Sequence, residues 1–191
     1  MRLFIGIELP EPLRLAAAAA AGQLRRAVEA GAPAVAIRWV APASLHITVW
    51  FLGRVDDEPA ERLFESLRPR LETPGFAMTV AGAGAFPPSG APRALWLGVA
   101  AGGDSLRAIH RELADRLQPL GFQPERRPYS PHLTVARVKD VARADAAALR
   151  RALQDLGVAP AAADIGHVTL FRSEPLAGGS RYTPVLRVPL S

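Results

Sequence analysis

The sequence contains no cysteine and a single lysine, Lys139. The absence of cysteine excludes disulfide scaffolds, thiolate metal sites and cysteine nucleophiles. Long apolar runs are also missing, since the longest, Leu15–Ala21, falls far short of the roughly 20 residues that a bilayer-spanning helix needs. Glu8 interrupts the apolar stretch at the start of the chain, so no secretory signal peptide is expected. Together these absences predict a cytoplasmic protein that folds without disulfide bonds.

Arginine, by contrast, is abundant. The 191 residues include 23 basic and 18 acidic side chains, a net charge of +5, and every basic residue except Lys139 is arginine. A GC-rich coding bias explains this composition, because arginine, alanine, proline and glycine are all frequent. Arginine forks also suit phosphate, so the composition is compatible with a polyanionic partner. An excess of +5 does not by itself indicate nucleic acid.

The chain has the length of one domain, residues 1–191, and its sequence contains no linker or low-complexity segment. Apolar spacing and Gly/Pro punctuation predict an irregular alternation of strands and helices, which favours the α+β class. The predicted strands are Arg2–Leu9, Ile37–Val40, Leu45–Leu52, Phe76–Val80, Ala94–Ala100, His132–Val138, Ile165–Phe171 and Tyr182–Val188, with the last two joined through Gly178 and Gly179. The predicted helices are Glu11–Ala30, Glu58–Leu71, Asp104–Leu120 and Asp140–Leu156.

A four-residue pattern of His, aliphatic, Thr and aliphatic occurs on two of the predicted strands. The copies are His46-Ile47-Thr48-Val49 and His132-Leu133-Thr134-Val135, which start 86 residues apart, near half the length of the chain. This spacing suggests a duplicated unit. We therefore expect two pseudo-symmetric lobes, each supplying one motif strand to a shared cleft.

The residue types in this pattern suit phosphodiester chemistry without a metal. Alternate side chains of a strand share a face, so His46 and Thr48 point one way while Ile47 and Val49 point into the packed side. The same holds for the second motif. With both strands at one cleft, one imidazole can take a proton from the attacking oxygen while the other gives one to the leaving oxygen. The two hydroxyls can hold the non-bridging phosphate oxygens as their charge grows.

Two further histidines are expected to lie outside the chemistry. The segment His167-Val168-Thr169-Leu170 fits the same formula, but two equivalent lobes supply only two cleft strands. We therefore expect this third copy on a neighbouring strand, packed beside the site. His110 lies in the middle of a predicted helix among charged residues and is expected on the surface.

With these motifs in view, the chain resembles the 2H phosphoesterase superfamily, specifically its RNA 2′,3′-cyclic phosphodiesterase (2′-5′ RNA ligase) family. The resemblance implies two antiparallel-sheet lobes around a central cleft, with helices on the outer faces. It also implies a monomeric enzyme that hydrolyses cyclic phosphate ends to 2′-phosphomonoesters without a cofactor. RNA is the implied partner, with tRNA halves as one candidate, and reverse 2′-5′ joining is a family-level activity. The segments that carry the resemblance are Arg2–Ile7, Arg38–Val40, the first motif, Phe51–Gly53, Pro92–Val99, Leu120–Phe122 and, most specifically, Arg127–Arg137.

The resemblance also assigns roles to the motif residues. His46 corresponds to the general acid that protonates the leaving 3′ oxygen, and His132 to the general base that activates water. Thr48 and Thr134 correspond to phosphate ligands, and Arg137 falls at a position linked to the phosphate. The residues alone leave open which histidine is the acid.

Arg137 raises a difficulty, because strict alternation puts it on the opposite face from Thr134. Either the strand bulges after Val135 or the long arginine side chain wraps round the strand end.

Three more residues are candidates for contact with RNA. Trp50 stands where family members often have a basic residue, and strict alternation gives it the face of His46, so it either stacks on a nucleobase or caps the core. Tyr129 has the same two interpretations. Arg127 either steers an RNA backbone by its charge or lies in a solvated loop.

Three alternatives stay open at this stage. One is a phosphodiesterase for small cyclic phosphates, such as cyclic nucleotides or ADP-ribose cyclic phosphate. Another is an RNA-binding module whose histidines pack without catalysing. A metallohydrolase is the third, but the motifs pair histidine with threonine rather than with the carboxylates common at metal sites.

Overall fold

The computed structural model describes residues 1–139, 141–176 and 179–191. The strands are β1 Arg2–Glu8, β2 Ile37–Trp39, β3 His46–Arg54, β4 Phe76–Phe86, β5 Ala94–Ala101, β6 His132–Val138, β7 Ala161–Ile165, β8 His167–Leu176 and β9 Gly179–Pro189. The helices are α1 Glu11–Gly31, α2 Asp57–Leu67, α3 Gly103–Leu117 and α4 Arg143–Gln154, with 3-10 turns at Pro42–Ser44 and Gln118–Leu120. Among the described residues, no helix has the length and apolar character required to cross a membrane.

The strands form one antiparallel sheet in the order β7-β4-β5-β6-β3-β1-β8-β9, with β2 paired to β6. At its centre, β3 and β6 share a single register pair, Ile47 with Leu133. The sheet is therefore two four-stranded lobes, β3-β1-β8-β9 and β6-β5-β4-β7, which meet at the two motif strands. The predicted α+β class and two-lobe architecture are confirmed.

Helices cover the packed face of this sheet. α1 and α4 contact each other and reach β7 and β4, while α3 contacts β3 in one lobe and β5 in the other. The apolar stripe that the sequence predicts on α3 is fully buried; it consists of Leu106, Ile109, Leu113 and Leu117. The aliphatic residues of both motifs are also buried, as alternation predicts: Ile47, Val49, Leu133 and Val135. Each such side chain contributes about 1.5–3 kcal/mol by leaving water, so this core fixes which face of β3 and β6 stays open.

Several predicted boundaries were wrong for identifiable reasons. β4 runs on to Phe86 instead of ending at Val80, because an irregularity with Gly82 at φ +72° interrupts the ladder without ending it. α2 ends at Leu67 rather than Leu71, since Pro69 has no backbone N–H with which to continue the helix.

β7 was missed altogether. Its sequence, Ala161–Ile165, is mostly alanine and carries little strand preference, yet it pairs with β4 over five residues. The predicted start of the last helix at Asp140, and Gly178 in the predicted final turn, lie outside the described residues.

Candidate active site

The two motif strands line a common cavity at the junction of the lobes. A space of about 700 Å³, called here the first arm, is lined by both motif histidines and both motif threonines, and by Arg137. A second space of about 480 Å³, the second arm, shares four of these five residues and lacks His46. Two motifs 86 residues apart in the chain thus meet at one place.

A β-bulge follows the threonine of each motif. In β3, Gly6 pairs with Thr48 and Ile5 with Trp50, which leaves Val49 as the extra residue. In β6, Trp96 pairs with Thr134 and Leu95 with Ala136, which leaves Val135 as the extra residue. Each bulge shifts the alternation of side chains by one position.

The bulge in β6 settles the difficulty over Arg137. Val135 and Ala136 are both buried, and the next residue, Arg137, returns to the face of Thr134 and lines both arms. The bulge, one of the two explanations offered by the sequence, puts this cation in the cavity.

The bulge in β3 has the opposite effect on Trp50. The expectation that Trp50 shares the face of His46 was wrong, because the bulge turns its side chain inward until only 2% of its surface is exposed. Trp50 lines the second arm only through this small exposed fraction, which is too little for a nucleobase to stack on. Phe51 instead faces the cavity, is 53% exposed and lines both arms. The sequence spacing could have identified Phe51 as a cavity residue, since it follows His46 by five positions, just as Arg137 follows His132.

Backbone carbonyls fix the tautomer of both motif histidines. Nδ1 of His46 lies 2.8 Å from the carbonyl oxygen of Ser44, and Nδ1 of His132 lies 2.8 Å from that of Ser130. A carbonyl oxygen only accepts, so each Nδ1 carries a hydrogen and donates it. Nε2 is therefore the nitrogen that exchanges a proton in each ring. In His46 this Nε2 lies 3.2 Å from Oγ1 of Thr48.

Burial and nearby cations lower the pKa of both rings. The imidazole of His46 packs 4.8 Å from the rings of Phe4 and Tyr182, and that of His132 packs edge-on to Phe86 at 4.9 Å. Desolvation is the largest cause of the lowered pKa in each case, and the positive charge of Arg137 lowers both further. A charge on His132 also lowers the pKa of His46. An unliganded site thus disfavours the charged form of both imidazoles, whereas a nearby anion favours it.

Arginine dominates the charge of the cavity. Six arginines line its two arms: Arg2, Arg38, Arg93, Arg127, Arg137 and Arg181. Glu125 is the one acidic residue among the described lining residues. Within the described part of the chain none of the six arginine side chains has an ion-pair partner, whereas eight arginines elsewhere do. Among the described residues, no group of three or more His, Cys, Asp or Glu side chains lies close enough together to hold a metal ion.

Tyr129 and His110 form a half-buried stack that lines the second arm. Their rings are parallel within 5° and 4.6 Å apart, and the ring of Trp50 lies 4.8 Å from His110. His110, expected on the surface, is only partly exposed, because the inward turn of Trp50 gives this helical side chain a partner. Tyr129, expected near RNA, donates its hydroxyl to the carbonyl oxygen of Thr48 at 3.1 Å. Arg127, the other candidate near this loop, lines the second arm.

The third motif copy already holds an anion from the chain itself. It lies on β8, beside β1, as expected for a neighbouring strand. One carboxylate oxygen of Glu8 lies 3.3 Å from Nε2 of His167 and accepts the Thr169 hydroxyl at 2.8 Å, while Arg187 donates to both oxygens. The hydrogen bond from Arg187 is the largest cause that lowers the pKa of Glu8 to about 2. A His-x-Thr pair in this fold can thus hold an oxyanion directly.

Two antiparallel lobes that each bring one His-x-Thr pair to a shared, arginine-lined cavity define the class of two-histidine (2H) phosphoesterases. Within that class, the chain belongs to the 2′-5′ RNA ligase superfamily, whose family model matches residues 12–175.

Individual relatives agree with this assignment. The chain is 32% identical over 185 residues to a protein of Methanothermobacter thermautotrophicus named RNA 2′,3′-cyclic phosphodiesterase, which covers 96% of this chain and 95% of the relative. It is 36% identical over 105 residues to a protein of the same name from Aeropyrum pernix, covering 55% of this chain and 59% of that relative. The crystal structure of Escherichia coli LigT complexed with 3′-AMP aligns with a TM-score of 0.68 at 29% identity, over 100% of this chain and 98% of LigT.

Proposed function

We propose that this chain opens the 2′,3′-cyclic phosphate at RNA ends to a 2′-phosphomonoester by metal-independent acid–base catalysis. The observation that carries the proposal is the pair of imidazoles, one from each lobe, that line one cavity with two threonines and Arg137. Because the pair spans both lobes, residues 1–191 act as one catalytic unit.

In this mechanism His132 and His46 have complementary tasks, as in the family that the chain resembles. Nε2 of neutral His132 takes a proton from water as the water oxygen bonds to phosphorus. The bond from phosphorus to the 3′ oxygen breaks, and Nε2 of protonated His46 gives that oxygen its proton. Afterwards His132 is protonated and His46 neutral, and exchange with solvent restores the starting state.

The other cavity residues bind the phosphate. Thr48 and Thr134 donate hydroxyl hydrogen bonds to the non-bridging oxygens, and Arg137 offsets their negative charge. The bound phosphate raises the pKa of His46, which desolvation and Arg137 otherwise lower, and so supplies the protonated acid when substrate is present.

An RNA strand is a better match for the cavity than a small cyclic phosphate. Arginines with no ion-pair partner among the described residues line both arms of the cavity. Binding the single reacting phosphate requires only those near the motif residues, where the two arms meet. The remaining cations suit the backbone phosphates of a longer chain. The names of the relatives support the same substrate class.

The reverse joining reaction uses the same groups with a 5′-hydroxyl in place of water. The 5′ oxygen bonds to phosphorus, His132 accepts the hydroxyl proton, and His46 protonates the departing 3′ oxygen. The product is a 2′-5′ phosphodiester, with no change in the number of phosphoester bonds.

Hydrolysis is tested with an oligonucleotide that ends in a 2′,3′-cyclic phosphate, assayed with EDTA beside the matching mononucleoside cyclic phosphate. We expect a 2′-phosphate product, a higher kcat/KM for the oligonucleotide, and losses of about 10²- to 10⁴-fold in His46→Ala and His132→Ala. Full activity in either variant contradicts the mechanism. A preference for the mononucleoside contradicts the RNA assignment.

Joining is tested by adding an excess of a 5′-hydroxyl oligonucleotide and looking for a longer product with a 2′-5′ bond. Hydrolysis without any such product at millimolar acceptor would reject the joining reaction and leave the hydrolase proposal intact.

A further inference from the structure

Few backbone contacts tie the two lobes together near the motif residues. β3 and β6 share one register pair, Ile47 with Leu133. The hydroxyl of Tyr129, which precedes β6, crosses this junction and donates to the carbonyl oxygen of Thr48 at 3.1 Å. That carbonyl lies at the start of the β3 bulge, where the regular ladder is interrupted. The Tyr129 hydroxyl thus gives this carbonyl a hydrogen-bond partner from the segment that leads into the other motif strand.

The ring of Tyr129 is itself held in place. His110, from α3, stacks on it with rings 5° from parallel, and Trp50 packs on His110 at 4.8 Å. Because α3 contacts both β3 and β5, this stack is anchored in both lobes. Burial raises the pKa of Tyr129 well above its ordinary value, so the hydroxyl stays protonated and able to donate.

We propose that Tyr129 is a positioning residue that acts through Thr48. Its hydroxyl fixes the peptide plane of Thr48, which sets the direction of the Thr48 side chain. That side chain lies 3.2 Å from Nε2 of His46 and lines the cavity. The inference rests on the proposed catalytic roles of His46 and Thr48. It gives Tyr129 a task in the chemical step rather than in binding a base.

The first test is Tyr129→Phe, which keeps the stacked ring and removes the hydroxyl. Loss of one buried hydrogen bond corresponds to a fall in kcat of about fivefold to tenfold, and we expect KM to change less than twofold. Ser66→Ala is the matched control, because it removes a hydroxyl that also donates to a backbone carbonyl, that of Arg116, away from the cavity. The control should keep the wild-type kcat. A rise in KM at unchanged kcat would overturn the proposal and indicate direct contact with substrate.

A double-mutant cycle tests whether the effect passes through Thr48. In the Thr48→Ala background, Tyr129→Phe should cause no further loss of kcat, because the side chain that it positions is gone. Independent, multiplicative losses would overturn the proposal. His110→Ala, which removes the ring stacked on Tyr129, should lower kcat as Tyr129→Phe does.

A readout that needs no turnover separates this inference from the proposed function. In an NMR titration of the histidine ring protons, Tyr129→Phe should move the pKa of His46, whose Nε2 contacts Thr48, and leave that of His132 within experimental error. Unchanged titration of His46 would overturn the positioning role even in an active enzyme. A shifted titration would support it even if the cyclic phosphodiesterase assay failed.

Discussion

Val49 and Val135 hold equivalent positions in the two lobes, since each is the extra residue of a bulge that directly follows a motif threonine. Each bulge brings the residue five positions after the motif histidine onto the cavity face. In one lobe that residue is Phe51 and in the other Arg137. The two equivalent motif strands thus place an aromatic ring on one side of the cavity and a cation on the other. This difference suits a nucleotide, which has a base to stack and a phosphate to bind.

Phe51→Ala should therefore raise KM for RNA substrates with little change in the stability of the fold. Stacking of a base on an aromatic ring is worth about 1–3 kcal/mol, or roughly 5- to 150-fold in affinity. The exposed Phe51 ring contributes little to the core, so the urea midpoint should stay near the wild-type value. Unchanged KM for oligonucleotides would exclude a stacking role.

Trp50→Ala is the informative contrast, because its ring is buried against His110. Removing a buried tryptophan typically costs about 3–5 kcal/mol of unfolding free energy. Urea unfolding should show this loss directly. A variant that unfolds like the wild type while its KM rises would mean that Trp50, not Phe51, meets the substrate.

The pH profile should depend on Arg137. Its charge lowers the pKa of both His46 and His132, so removing it in Arg137→Gln lets both values rise. Both limbs of the kcat/KM profile should then move to higher pH, together with a loss of about 10- to 100-fold from the missing charged hydrogen bonds. In the wild type the optimum should lie on the acid side of 6.5, the ordinary pKa of histidine.

Arg26→Gln on α1 removes the same charge away from the cavity and should leave the profile in place. An Arg137→Gln profile with unmoved limbs would show that the guanidinium does not influence the two imidazoles.

Gly6 of β1 lies against the backbone of β3 with no room for a side chain. A Cβ on this residue would lie 2.7 Å from the backbone carbonyl oxygen of Ile47, which sits between His46 and Thr48. Gly6→Ala must therefore push the motif strand aside, at a cost of about 1–3 kcal/mol of unfolding free energy, and should lower kcat as well. Both effects can be measured by urea unfolding and steady-state kinetics.

Gly22→Ala in α1 is the matched control. Its Cβ would meet only the far end of the Arg26 side chain at 3.7 Å, so alanine should be neutral or stabilise the helix by up to about 1 kcal/mol. Equal stability of the Gly6→Ala and Gly22→Ala variants would contradict the steric argument.

Local pattern was sufficient to predict much of this molecule. The His-x-Thr repeats indicated two equivalent strands, and alternation correctly buried Ile47 and Leu133. The apolar spacing of α3 likewise predicted its buried stripe. These features depend on a few consecutive residues with a fixed period, and the sequence contains that information directly.

The bulges could not be predicted in the same way. Whether β3 gains an extra residue at Val49 depends on its register with β1, a strand about 40 residues earlier. The two residues directly after the bulge change face, so the sequence misplaced Trp50 and missed Phe51. The error over His110 followed from this one, because its partner was assigned to the wrong side of the sheet.

Glu8 makes the stability of the protein depend on pH in the acid range. Its pKa is lowered from 4.5 to about 2, first by the hydrogen bond from Arg187 and then by those from Thr169 and His167, against the opposing effect of burial. A lowered pKa in the folded state means that the stabilisation is complete above 4.5 and is lost as the pH falls from 4.5 towards 2. Glu8→Gln removes the charge, so the difference in unfolding free energy between wild type and variant should shrink over that interval.

The exposed pair of Glu29 with Arg25 on α1 provides the control. Glu29→Gln should change the unfolding free energy by no more than about 0.5 kcal/mol, because solvent screens such helix pairs. The opposite outcome is a difference in unfolding free energy between wild type and Glu8→Gln that stays constant as the pH falls from 4.5 towards 2. That result would show that the Glu8 carboxylate is not held as an anion. The third His-x-Thr pair would then be an ordinary packing contact, and its likeness to a phosphate site would carry no weight for His46 and Thr48.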